Sequence, residues 1–84
     1  MYYVYVLQAE SASNLYVGYT KDLRRRLAEH DAGHRGYTKR DSWRLVYYEA
    51  YASEADARQR ERRLKQSGQA RRQLELRIED SLQQ

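Results

Sequence analysis

The sequence predicts an α+β domain in which a small three-stranded antiparallel sheet is flanked by helices, in the order ββαβαα. Three observations carry this reading. Three short segments are dense in aromatic and β-branched residues, which suit a pleated surface. Other segments repeat apolar residues at helical spacing between capping residues. Three strands are too few to cover their own faces, so helices must flank them.

The first strand is Tyr2-Tyr3-Val4-Tyr5-Val6-Leu7, and the polar run Gln8 to Asn14 turns the chain into the second, Leu15-Tyr16-Val17-Gly18-Tyr19. A turn centred on Glu10-Ser11 sets Tyr5 opposite Tyr16, and directly opposed residues of an antiparallel pair share a face. Thr20 is placed to cap a helix over about 21–32, with Asp22 near its start and Gly33 just past its end. In that helix Leu23 and Leu27 face the core. Asp22, Arg26 and His30 form a second stripe at i+4 steps, so Arg26 and His30 reach one cleft from the border of the buried surface.

A polar, basic loop from Ala32 to Ser42 contains Gly33 and Gly36, and Trp43 to Tyr51 is the third strand. Ser53 and Asp56 approximate a capping box for a helix over about 54–66 that carries Ala57, Glu61, Leu64 and Lys65. Ser67-Gly68 ends it. A last helix from about Gln69 repeats Leu74, Ile78 and Leu82 at i+4 steps.

At 84 residues the chain makes one domain, 1–84, with a thin core. It has no cysteine, hence no disulfide framework or thiolate metal site, which fits a cytoplasmic protein. No run approaches the length of a membrane span, and the opening residues read as a strand rather than a signal peptide. The formal charge of +4 is matched by the stretch from Thr20 to Arg44 alone, where Lys21, Arg24, Arg25, Arg26, Arg35, Lys39, Arg40 and Arg44 outnumber four acidic residues. Such an excess suits a surface that meets phosphates, although a solvated helix face has the same composition. Nine Tyr with no Phe imply that most phenols are amphipathic core fillers.

Tyr5, Tyr16, Arg26, His30 and Glu61 stand out as two phenols, a guanidinium, an imidazole and a carboxylate within one basic domain. That set can handle a phosphodiester, with the carboxylate holding a divalent metal. Each also has a structural reading: sheet aromatics, one cation of a triplet, a helix C-terminal histidine, and an i+4 partner for Lys65.

In order and spacing the residues resemble the GIY-YIG endonuclease superfamily, in its small stand-alone bacterial branch. Tyr3-Val4-Tyr5 corresponds to the first motif, with Tyr in place of the usual Gly, and Tyr16-Val17-Gly18 to the second. Asp22-Leu23-Arg24-Arg25-Arg26-Leu27-Ala28-Glu29-His30 follows the family pattern on the next helix. Tyr37-Thr38, Leu45 to Glu49, and Ala57 to Glu61 followed by Lys65 resemble later blocks. No Pro precedes the third strand, and no Asn in the last helix matches the one that supports the metal in larger members.

The resemblance implies a metal-dependent nuclease in which Tyr5, Tyr16, Arg26, His30 and Glu61 converge on one phosphate. One motif tyrosine helps take a proton from the attacking water, with Tyr5 favoured and Tyr16 orienting. Glu61 would hold a single Mg2+ or Mn2+, Arg26 would stabilise charge on the phosphate, and His30 would bond an oxygen or relay a proton. DNA, branched, damaged or single-stranded, is the implied partner, as in DNA repair, with RNA also open. Lys21, Arg24, Arg25, Arg35, Tyr37, Lys39, Arg40 and Lys65 are the candidate nucleic-acid contacts. The alternatives are a non-catalytic nucleic-acid-binding module using the Arg-rich helix and exposed tyrosines, or a protein-interaction domain. A monomer or weak homodimer fits the size and the exposed sheet edges.

Overall fold

In a computed structural model of the protein, residues 1–11, 14–31 and 42–84 are described. The elements are β1 (Tyr2–Ala9), β2 (Leu15–Thr20), α1 (Leu23–Asp31), β3 (Trp43–Tyr51), α2 (Glu54–Gln66) and α3 (Gly68–Arg77), followed by a 3-10 turn over Ser81–Gln83. The strands form one antiparallel sheet in the order β2-β1-β3. The expected α+β architecture, three strands with flanking helices, is therefore the observed one.

Because side chains alternate along a strand, β1 sends Val4 and Val6 to one face and Tyr3, Tyr5 and Leu7 to the other. Val4 to Leu7 are all buried, as a middle strand covered on both faces requires. The main core lies on the valine face, where Val4, Val6 and Val17 meet Ala57 and Leu64 of α2, Leu74 of α3 and Ile78 beyond it. Each large aliphatic side chain buried there stabilises the fold by about 1.5–3 kcal/mol. α1 packs on the opposite face and delivers His30, only 4% exposed, to the tyrosine side of β1.

The β1–β2 register differs from the expected one: Tyr5 opposes Gly18, and Tyr16 opposes Leu7. The hairpin closes later than the polar run suggests, with the Ala9 amide donating to the Asn14 carbonyl at 3.0 Å. The slip is two residues, so Tyr5 and Tyr16 keep a common face as diagonal neighbours. Between β1 and β3 the pairing skips from Val6↔Tyr47 to Leu7↔Leu45, and Val46, the extra residue of this bulge, packs against the core.

Three local expectations are corrected. Asp22, rather than Thr20, caps α1: its Oδ1 accepts from the Arg25 amide at 3.1 Å, while Thr20 Oγ1 accepts from the Asp22 amide at 3.0 Å. Leu23 and Leu27 stay half-exposed outside the main core, because that core lies across the sheet. The last helix ends at Arg77, yet Leu74, Ile78 and Leu82 still reach the core because the 3-10 turn carries the apolar stripe on. The expected loop and cap residues Ala32, Gly33 and Gly36 lie outside the described residues.

Polar contacts hold the helical layer to the sheet. Ser67 both ends α2, donating its amide to Arg63 O, and starts α3, accepting from the Ala70 amide at 3.2 Å. Arg44 donates to Gln8 Oε1 and to Ser81 O, both at 2.8 Å. Glu49 of β3 accepts from the Tyr47 hydroxyl at 2.6 Å, from the Tyr51 hydroxyl, and from Arg60 Nε of α2 at 3.0 Å. Burial opposes ionisation of Glu49, but the Arg60, Tyr47 and Tyr51 donors outweigh it and hold the carboxyl below its ordinary value. Burial and then the Glu49 bond push the Tyr51 phenol up to about 12.

Candidate active site

Tyr5 sits at the centre of the tyrosine face and is fully buried. Its ring lies against Gly18, where a Cβ would come within 2.3 Å of Cζ and 2.4 Å of the hydroxyl oxygen. No side chain fits there, which is the physical reason for glycine at the end of Tyr16-Val17-Gly18. The Tyr5 hydroxyl is 3.0 Å from His30 Nε2. Tyr16 stacks on Tyr5 with centroids 6.3 Å apart and rings 10° from parallel. His30 meets both rings edge-on, at 5.8 Å from Tyr5 and 5.2 Å from Tyr16. Trp43, at the start of β3, closes on Tyr16 at 6.4 Å.

Tyr16 is half-exposed on β2, an edge strand, so its phenol is the more accessible of the two. Lys65 of α2 places its ammonium 5.9 Å from the Tyr16 ring centroid and pairs with Glu61 at 3.2 Å. One turn apart on α2, the two residues bring a carboxylate and a cation to the rim of the aromatic cluster. Glu54, Arg58, Glu61 and Lys65 recur at i, i+4, i+7 and i+11 and make a stripe of alternating charge along β2. At its far end the Tyr19 hydroxyl donates to Glu54 at 2.6 Å, and Arg58 lies 4.6 Å over the Tyr19 ring. The Glu54 bond comes first among the causes that raise the Tyr19 pKa.

Arg26 is one step removed from this cluster. Its Nη1 donates to Tyr19 O at 3.2 Å and its Nε pairs with Glu29 at 3.1 Å. It lines a cavity of about 220 Å³ with Lys21, Arg25, Glu54 and Arg58, and neither Tyr5 nor Tyr16 belongs to that lining. The helix stripe therefore splits, with His30 reaching the tyrosines and Arg26 facing the β2 edge one turn earlier. Of the expected set, Tyr5, Tyr16 and His30 are in direct contact, Glu61 joins them through Lys65, and Arg26 flanks them.

Among the expected nucleic-acid contacts, Lys21, Arg24, Arg25 and Lys65 are exposed. Arg35, Tyr37, Lys39 and Arg40 lie outside the described residues. Sequence reasoning missed Trp43 and Arg71. Arg71 donates to Leu15 O at 3.2 Å and shares a surface pocket with Tyr16 and Lys65. Its position three residues before Leu74, on the face that α3 turns to the sheet, was the available signal.

Among the described residues no three His, Cys, Asp or Glu side chains cluster as a metal cage. A lone carboxylate at the rim suits instead a hard divalent ion that keeps its waters and is completed by phosphate oxygens. Glu61 fits that donor role.

The model of the GIY-YIG catalytic domain matches residues 1–75. A UPF0213 protein of the archaeon Natronomonas pharaonis is 43% identical over 72 residues, covering 83% of this chain and 84% of that protein. One from Bacillus pumilus is 40% identical over 83 residues, covering 93% and 84%. The solution NMR structure of a UPF0213 protein from Bacillus halodurans superposes with a TM-score of 0.56 at 34% identity, covering 88% of this chain and 82% of that one. With the motif tyrosines stacked, Gly18 packed against Tyr5 and the family model spanning most of its length, this chain belongs to the GIY-YIG catalytic domain family, a nuclease fold.

Proposed function

We propose that this chain, as one domain over residues 1–84, is a metal-dependent endonuclease that hydrolyses DNA phosphodiesters with structural selectivity or weak sequence preference. The observation that carries the reading is the joining of Tyr16, Tyr5 and His30 to the Lys65–Glu61 pair at one accessible rim. Binding alone needs cations and rings; it does not need a carboxylate where the phosphate would lie.

Exposure favours Tyr16, rather than the fully buried Tyr5, as the phenol that takes the proton from the attacking water. Lys65 sets a positive charge beside that phenol, where negative charge builds during proton transfer. Tyr5 and His30 then act as a pair behind it, the imidazole holding the Tyr5 hydroxyl and both rings fixing Tyr16. Arg26 leaves Glu29 to meet a phosphate oxygen, a task for which its planar fork suits it. A Mg2+ or Mn2+ ion held through Glu61 supplies Lewis-acid chemistry at the phosphate when bound.

The test incubates the protein with paired, branched and single-stranded DNA in Mg2+, Mn2+ or EDTA, beside Glu61→Ala and Tyr16→Phe. Metal-dependent cleavage that falls by about a hundredfold or more in each variant is expected. Calorimetry of Mn2+ in the presence of DNA gives a second readout, expected to lose its heat in Glu61→Ala. Salt-sensitive DNA binding without cleavage, unchanged in Glu61→Ala, would establish a binding module instead.

A further inference from the structure

On the far side of α1 from Arg26 lies a groove of about 450 Å³ lined by Tyr3, Tyr48, Leu23, Leu27, Lys21 and Arg24, with Asp22 at its edge. Its volume falls within the range of small-molecule sites. Tyr48 is 52% exposed, unusual for a large ring on a strand, and meets Tyr3 edge-on with centroids 6.0 Å apart. The sheet thus offers an aromatic wall, α1 an apolar one through its two leucines, and Lys21 and Arg24 two exposed cations. The single acid, Asp22, is engaged by the Arg25 amide as the helix cap.

We infer that this groove is a subsite for one unpaired DNA nucleotide, its base against Tyr48 and Tyr3 and its phosphate on Lys21 and Arg24. The substrate class rests on the nuclease reading above; the site rests on the aromatic pair and the adjacent cations. A base inside a duplex hides both of its faces, so only an unpaired or flipped base can lie on these rings. Stacking on aromatics is tolerant of sequence, so the subsite confers selectivity for DNA structure rather than for a base order.

The groove adjoins the cavity of Arg26, which flanks the candidate active site. Tyr48 opposes Tyr5 directly across the β1–β3 ladder. Lys21 and Asp22 line both this groove and the cavity of Arg26, so a backbone passing round the start of α1 touches both. The triplet Arg24-Arg25-Arg26 fans out about the helix, Arg24 into the groove and Arg25 and Arg26 into the cavity.

The experiment measures binding in EDTA, so that hydrolysis plays no part. The probes are a fully paired DNA hairpin and the same hairpin with a short single-stranded overhang carrying 2-aminopurine, followed by anisotropy and 2-aminopurine fluorescence. The wild-type protein is expected to quench the 2-aminopurine and prefer the overhang. Tyr48→Ala is expected to lose the quenching and about tenfold in overhang affinity, with the paired hairpin changed by less than about twofold. Tyr48→Trp restores both, which a merely structural role for Tyr48 would not produce, and circular dichroism confirms that each variant is folded. Undiminished quenching and preference in folded Tyr48→Ala overturns the subsite. A protein that cleaves DNA without Tyr48-dependent preference does the same while leaving the nuclease reading intact; preference without cleavage refutes the nuclease reading alone.

Discussion

Gly18 and Tyr5 occupy one volume between them, the phenol ring filling the place of the side chain that Gly18 lacks. Gly18→Ala forces the ring away from backbone that cannot yield, and overpacking of this kind costs about 1–3 kcal/mol. A lower urea midpoint and loss of cleavage are expected together, because the displaced ring also leaves His30 and Tyr16. The same packing explains what the sequence could reveal about single residues. Motif spacing pointed to Tyr5, Tyr16, His30 and Glu61, and the structure sets the first three in contact and Glu61 beside Lys65. It could not rank the two phenols, since the ranking depends on which strand lies at the sheet edge. Nor could helix phase foresee that Arg26 turns to Tyr19 O and Glu29 while His30 reaches the tyrosines.

Among the elements, β3 is joined to α2 by the Glu49–Arg60 pair, while the Tyr47 and Tyr51 hydroxyls of β3 itself also donate to the carboxylate. Because the folded pKa of Glu49 is depressed, its contribution is present above the ordinary carboxylate value of about 4.3 and lost as pH falls through the folded value. Tyr51 works in the opposite sense: its raised pKa makes a contribution present below about 10 and lost as pH climbs toward about 12. Stability from this junction is therefore expected to be level between about pH 5 and 10. Glu49→Ala, which leaves three half-buried donors without their acceptor, is expected to cost about 1 kcal/mol at neutral pH and to flatten the acid limb of a urea-midpoint profile. Element boundaries were legible where caps and apolar spacing agreed, as for β3 and for α2 between Ser53 and Ser67. The hairpin register was not, because Gln8 and Ala9 read as turn while their backbone continues the ladder. The shared face survived that error only because the slip was an even number of residues.

Over the whole molecule, exposed cations stand on α1 and on α2, on both sides of the tyrosine cluster. DNA affinity is expected to fall steeply with salt, and Arg25→Ala, removing a 77% exposed side chain, is expected to reduce the log–log slope by about one without changing which DNA is preferred. Titration by anisotropy at several salt concentrations measures it. The fold class was legible at this scale because three strands and flanking helices have few ways to pack; which side of α1 carries each arginine was not. The strand order β2-β1-β3 has one more consequence. The earliest strand in the chain is the central one, and Tyr5 must wait for Tyr48 before its ladder is complete. Non-local pairing of that kind costs loop-closure entropy before its contacts repay it, and so forms slowly. A chain caught part-way through folding, or still emerging from synthesis, would hold the tyrosines without the sheet that brings them together, so the proposed activity is expected to appear only with the finished sheet.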